Sequence, residues 1–273
     1  MSNKELIEYF EHVRYQVAGF DKKQKSEIPQ FSGSGFILEH NGHKVFVTAG
    51  HVATTQTDGT IEYDKKVLVQ TNSIYYDTEL NRYCCYLVSC SEIVTISAFH
   101  FDPITMGLGH ESVVDVAFTI FDEVRSNAPF VTQKIDLESA CVKYGEKKGF
   151  FKSTDIATVS TTDTYAVFGR VKLFFEKVDE NNVLQSTIIF HTGLKFVYET
   201  KDMYVLQYDK PIIIDEWKGL SGSPVLNQYG KLLGVACSVD PFANTLSVMK
   251  IRNVLSYIEA EIKTSGLSKL GIL

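Results

Sequence analysis

The sequence carries no surplus of positive charge: 27 Lys and Arg stand against 33 Asp and Glu, a formal net charge of −6. Its lysines are scattered and nothing reads as a basic groove, which speaks against nucleic acid as a partner. Cysteine is sparse. Cys84, Cys85, Cys90, Cys141 and Cys237 are odd in number and include an adjacent pair, which is not the spacing of a disulfide framework. Cys85 and Cys90 stand too far from His to suggest a zinc site. The five are expected to be free thiols of a reducing compartment. No apolar run approaches the roughly 18 residues a membrane span needs. The stretch Met1-Ser2-Asn3-Lys4-Glu5-Leu6-Ile7-Glu8 is charged and lacks the apolar core of a secretory signal. The expectation is a soluble, cytoplasmic protein without a membrane partner. Internal repeats, low-complexity tracts and a Gly-rich phosphate loop are missing too, and neither a metal nor an organic cofactor is expected.

What is present favours strands. The chain has 273 residues, 44% hydrophobic and 22% charged, ordinary values for one large globular domain or two small ones. Phe and Tyr are plentiful, at 18 and 14, and lean toward β-structure. Leu6, Phe10, Val13 and Val17 recur at helical spacing behind a capping box of Ser2 and Glu5. This predicts an N-terminal helical extension over 1–30, ended by Pro29 and the Ser32-Gly33-Ser34-Gly35 run. Short strands then follow one another. Asn41-Gly42 between two of them is a hairpin signal, because this pair tolerates the positive φ of a type I′ turn. One strand group is expected over 31–125, a linker over 126–145 that leads into the charged run Glu146-Lys147-Lys148, and a second group over 146–250. Ile251, Val254, Leu255, Ile258 and Ile262 predict a C-terminal helix over 251–273. Many short strands at short spacing point to an all-β architecture of barrels or sandwiches.

Three segments carry chemistry. In Val45-Phe46-Val47-Thr48-Ala49-Gly50-His51 an apolar strand ends in small residues and a histidine. In Val113-Val114-Asp115-Val116-Ala117-Phe118 one carboxylate interrupts an apolar strand. In Gly219-Leu220-Ser221-Gly222-Ser223-Pro224 a serine sits between glycines before another apolar strand. Taken singly, each has an ordinary reading: a surface histidine, a turn carboxylate, a glycine turn. Together they supply a complete set of roles. A serine hydroxyl is a weak nucleophile that needs a neighbouring base, an imidazole can take its proton, and a buried carboxylate can hold the imidazole tautomer. Glycines leave backbone amides free to face a developing oxyanion. His100, His110 and His191 lack such a context and are read as structural. Ser223 is read as packing against or bonding to the strand that follows it rather than as a rival nucleophile.

These residues resemble the trypsin/chymotrypsin-like serine proteases. Thr48-Ala49-Gly50-His51 is similar to that family's Thr-Ala-Ala-His, and Asp115-Val116-Ala117-Phe118 to its Asp-Ile-Ala-Leu. Gly219 to Pro224 is similar to Gly-Asp-Ser-Gly-Gly-Pro, and closer to the Gly-x-Ser-Gly-Ser-Pro of some bacterial and viral members. The order His, Asp, Ser is that of the family. The resemblance spans roughly 33–249. It implies two six-stranded antiparallel β-barrels with the site in the cleft between them. It also implies a catalytic triad of His51, Asp115 and Ser221, an oxyanion hole from the Gly219 and Ser221 amides, and a peptide or protein substrate. The alternative on the same fold is a peptide-binding pseudoprotease without turnover.

Two departures qualify the resemblance. Leu220 replaces the acidic residue that pairs with a newly cut N-terminus in digestive trypsins. A preformed site, or control by a regulatory protein partner, is therefore expected. Asp215 lies six residues before Ser221, where trypsins keep the carboxylate at the base of the specificity pocket; it would select Arg or Lys there, or else is a loop residue in another register. Cys237, Ser238 and Val239 belong to a segment that resembles the strand pairing with substrate backbone, with Cys237, where Ser is usual, expected to be a small buried residue.

Overall fold

The chain opens with helix α1 (Asn3–Val13), whose start is the expected capping box. The Ser2 hydroxyl accepts from the Glu5 amide at 3.3 Å, and the Glu5 carboxylate accepts from the Ser2 amide at 2.7 Å. Leu6, Phe10 and Val13 form its buried face. The helix stops short of Val17, which the helical spacing had included. Arg14–Asp21 is instead strand β1, bonded to a neighbour on each side. Ladders on both edges outweigh a local periodicity that, past Val13, rested on one β-branched residue. The computed structural model describes residues 1–21, 31–57, 60–62, 65–77, 82–90, 94–102, 107–121, 149–178 and 181–269. The expected linker and the Glu146-Lys147-Lys148 run lie outside them.

Strands β2 (Phe31–His40) and β3 (His43–Thr48) form the expected hairpin, with Asn41 at φ 51° and Gly42 at φ 82°. The Ser32–Gly35 run, expected to end the N-terminal segment, lies inside β2. Next come the short helix α2 (Gly50–Ala53), the small hairpin β4 (Thr55–Thr57) and β5 (Thr60–Glu62), then β6 (Lys65–Asp77), β7 (Arg82–Cys90), β8 (Val94–Asp102) and β9 (Gly107–Phe121). The first sheet has the order β7-β6-β1-β2-β3-β9-β8. Strand β10 (Phe151–Lys152) adds to it by pairing in parallel with β2.

The second group closes on itself. Strands β11 (Tyr165–Val178), β12 (Asn181–Glu199), β13 (Met203–Gln207), β14 (Pro224–Asn227), β15 (Leu232–Asp240) and β16 (Thr245–Lys250) form a barrel of order β11-β12-β13-β16-β15-β14. Helix α3 (Ile251–Lys269) follows and buries Ile251, Val254 and Ile258. The fold is thus all-β, with two strand groups and a helix at each end, as the sequence suggests.

Three apolar clusters hold these parts. One fills the barrel with Val167, Leu206, Trp217, Val225, Leu233 and Val248. Another packs under the first sheet, with Val17, Ile37, Phe46 and Val67. The largest joins the two groups and both terminal helices through Phe10, Phe36, Val116, Phe168, Val235 and Ile258. Phe10 of α1 stacks on Phe168 of β11, ring centroids 5.7 Å apart. This shared core brings the end of β3, the middle of β9 and the turn before β14 to one place.

Candidate active site

His51 lies in α2, immediately after β3, and its side chain is exposed. Asp115 sits in β9 between buried Val114 and Val116. The His51 ring nitrogen Nδ1 lies 2.9 Å from Asp115 Oδ1 and 3.1 Å from Oδ2, and the His51 amide donates to Oδ1 at 3.0 Å. An ionised carboxylate only accepts, so Nδ1 carries the proton and Nε2 is left as the basic nitrogen. Gly50 makes this approach possible: a Cβ there would stand 3.1 Å from the Val116 nitrogen and 3.2 Å from Asp115 Oδ1. Burial pushes the Asp115 carboxyl upward. Hydrogen bonding and charge from His51, the His51 amide and the Cys237 thiol outweigh it and leave the carboxyl below its ordinary value.

Ser221 lies in the turn before β14, half-buried between Gly219 at φ 101° and Gly222 at φ 86°. Both values favour glycine. A Cβ on Gly222 would run into the Ser34 carbonyl and the Thr48 hydroxyl, and stand 3.0 Å from the Ala49 nitrogen. The serine turn therefore rests directly on the segment that leads to His51. Cys237 ties it to Asp115. Its thiol donates to the Asp115 carbonyl at 3.3 Å, and its own carbonyl accepts the Ser221 hydroxyl at 3.2 Å. His51 is thus bonded to Asp115 directly, and Ser221 is linked to Asp115 through Cys237.

The amides of the turn fall into two sets. Lys218 N–H donates to Ile214 O, Leu220 N–H to Trp217 O, Gly222 N–H to Ala236 O and Ser223 N–H to Leu220 O, at 2.8 to 3.1 Å. The Gly219 and Ser221 amides have no acceptor among the described residues. Ser223 is fully buried, with its hydroxyl bonded to Phe168 O at 3.0 Å. It is engaged in packing, with β11 rather than the strand that follows it as the partner of its hydroxyl.

A cavity of about 130 Å³ adjoins Ser221, lined among others by Trp217, Leu220, Ala236, Val239 and Leu246. Cys237 and Ser238 complete the wall contributed by β15. Asp215 is not among the residues that line it, so of the two readings of Asp215 the charged pocket base is set aside and the loop residue stands. It lies in a 3-10 turn (Ile214–Glu216) with its side chain 68% exposed and paired with Lys218 at 2.9 Å. That turn carries the carboxylate outward and puts Trp217 inward instead. Trp217, the one tryptophan, stacks flat on His191 with centroids 4.0 Å apart. His191 is held below its ordinary value by burial. The tryptophan's rarity was the available signal for it, and its role in the wall was not read from the sequence. Ser34 was missed as well. Its alternation with Gly33 and Gly35 was the signal that β2 closely approaches another backbone.

Among the described residues no three His, Cys, Asp or Glu side chains cluster so as to hold a metal ion. No described helix is long and apolar enough to cross a membrane.

No family model and no curated protein matches the sequence. Solved structures do align with it. A serine endoprotease from Yersinia pestis shares 12% identity over 96% of this chain and 68% of that one, with a TM-score of 0.43. The inactive form of the Rv3671c protease from M. tuberculosis shares 15% over 98% and 94%, with a TM-score of 0.42. A mutant of human heparin binding protein shares 12% over 91% of both chains, with a TM-score of 0.46. Among solved structures, then, this chain is similar to serine proteases and to a heparin binding protein, at identities of 12% to 15%.

Proposed function

We propose that this chain is a serine endopeptidase that hydrolyses peptide bonds through an acyl-enzyme. Ser221 Oγ attacks the scissile carbonyl carbon while His51 Nε2 takes its proton. Asp115 keeps the imidazole in that tautomer and stabilises the cation that forms. The carbonyl oxygen becomes an oxyanion and is received by the Gly219 and Ser221 amides. Collapse expels the amine, which takes the proton from His51. Water, activated by the same imidazole, then releases the acid and restores Ser221.

One observation carries this reading. The bonded His51–Asp115 pair is linked through Cys237 to a glycine-flanked serine turn in which, among the described residues, every amide from Lys218 to Ser223 is engaged except those of Gly219 and Ser221. The walls of the adjoining cavity are mostly apolar side chains. They favour an uncharged, apolar substrate side chain over Arg or Lys, since a cation would lose its hydration without a partner.

A second reading, peptide binding without turnover, is favoured by the Ser221 hydroxyl pointing to the Cys237 carbonyl. A fluorophosphonate probe and a peptide library separate the two. The peptidase reading expects covalent labelling of Ser221, and cleavage that disappears in Ser221→Ala. Folded protein that takes no label and cuts nothing would leave the binding reading.

A further inference from the structure

Arg14 is fully buried at the junction of α1 and β1. Its Nη1 donates to Gln16 Oε1 and to Ser34 Oγ, each at 3.0 Å. The guanidinium lies 5.8 Å from the centroid of the Phe168 ring. Glu11, on α1, is also buried and lies 3.9 Å from Arg170. Burial holds Arg14 down to about 10, which still leaves it charged at neutral pH. A buried guanidinium is a poor means of gaining stability, because an apolar side chain of similar volume often serves as well or better. Setting the direction of a hydroxyl, however, is beyond an apolar side chain.

Ser34 shows what that direction does. A guanidinium donates and never accepts, so the lone pair facing Arg14 is occupied. The single hydroxyl hydrogen is free to go elsewhere. It goes to the Gly219 carbonyl, 2.9 Å away. The same residue's amide donates to the Ser221 carbonyl at 2.8 Å, and its carbonyl accepts from the Thr48 hydroxyl at 2.7 Å. Ser34 therefore holds two alternate carbonyls of the serine turn. The Gly219–Leu220 peptide is planar and is gripped at both ends, by Ser34 at its oxygen and by the Trp217 carbonyl at its nitrogen. That peptide lies between the two whose N–H groups are the open amides. Gly219, at φ 101°, has no Cβ to resist rotation. Without the grip, the turn can reorient and lose its pair of amides.

We propose that Arg14 and Ser34 are positioning residues: a relay from Arg14 through the Ser34 hydroxyl to the Gly219 carbonyl keeps the Gly219 and Ser221 amides aimed at one point. This rests on the peptidase reading above. It makes the N-terminal segment a structural determinant of the oxyanion site, a task that Leu220 cannot perform by charge.

The test compares Ser34→Ala, Arg14→Met and Arg14→Lys in the full chain, with rates expressed per fluorophosphonate-titrated site so that unfolded protein does not count. Ser34→Ala removes one oxygen and is the safeguard should Arg14→Met not fold. The expected result is a kcat lower by ~10- to 100-fold in Ser34→Ala and Arg14→Met, with KM within about two-fold. Arg14→Lys, which keeps a cationic donor, should recover part of the loss. A crystal structure of Ser34→Ala should show the Gly219–Leu220 peptide rotated. An unchanged kcat per site with an unrotated peptide overturns the proposal. If the parent protein itself takes no label and cuts no peptide, the peptidase reading fails. The orientation of that peptide in Ser34→Ala then still decides whether the relay positions the turn.

Discussion

The two strand groups hold their halves of the site by different means. The first group supplies His51 and Asp115 from the end of β3 and the middle of β9. They are held by side chains bonded to each other, with the His51 amide as a third contact. The second group supplies Ser221 on a turn held mainly through its own backbone groups, with the Ser34 hydroxyl as a side-chain contact. Its carbonyls are gripped by Ser34, its flanking amides are bonded, and its glycines have positive φ. The difference teaches where each half is vulnerable. The first should be most sensitive to a changed functional group, and the second also to an added Cβ at Gly222 and to loss of the Ser34 hydroxyl.

The largest effect expected is at Ser221, the proposed nucleophile. Ser221→Ala should lower kcat by ~10⁶-fold with the fold intact, read by peptide hydrolysis beside a thermal melt. Near-parental cleavage would remove Ser221 from its role. Asp115→Asn comes next. It keeps the shape of the first half but offers the imidazole the wrong tautomer, and should cost ~10⁴-fold in kcat. A loss as small as ten-fold would mean that the carboxylate is only structural.

The backbone half is probed by a pair of glycines with similar φ. Gly222→Ala adds a methyl against the Ser34 carbonyl, whereas Gly42→Ala, at φ 82°, adds one into open space. Both pay the strain of positive φ, about 1–2 kcal/mol. Gly222→Ala should lose more than that and also lose labelling of Ser221. Gly42→Ala should keep full activity. Equal destabilisation of the two, measured by denaturant melts, would show that the serine turn can shift without cost.

The smallest effect is a pH dependence confined to the first half. The Asp115 carboxyl is lowered in the folded protein, so its contribution to stability is present above its unfolded value near 4. That contribution fades as pH falls through the lower folded value. Between neutral pH and about pH 3, the parental protein should lose more stability than Asp115→Asn does. Parallel losses in the two would show that the His51–Asp115 bond adds nothing to folding.

The legible features were those set by short stretches of chain. The α1 capping box, the Asn41-Gly42 turn, the apolar strands and the α3 stripe each need only neighbours a few residues away. The three site segments were legible because their chemistry demands particular residue types, and because their order resembles that of a known protease family. The place of Asp215 stayed open because its depth depends on one turn of 3-10 helix, which leaves it exposed while Trp217 is buried. Val17 was misplaced because strand pairing with β2 and β6, distant in sequence, decided its state.

By itself, then, the amino-acid order determined an all-β chain with helical ends and nominated His51, Asp115 and Ser221. Local sterics and hydrogen-bonding capacity suffice for that. Tertiary structure alone decided that β1 is a strand, that Trp217 rather than Asp215 lines the cavity, and that Arg14 and Ser34 reach the serine turn. The first and last of these rest on contacts between residues remote along the chain, and the second on how one local turn is set against the barrel. Such contacts form only when burial of the shared core gathers the two strand groups and offsets the entropy of joining them.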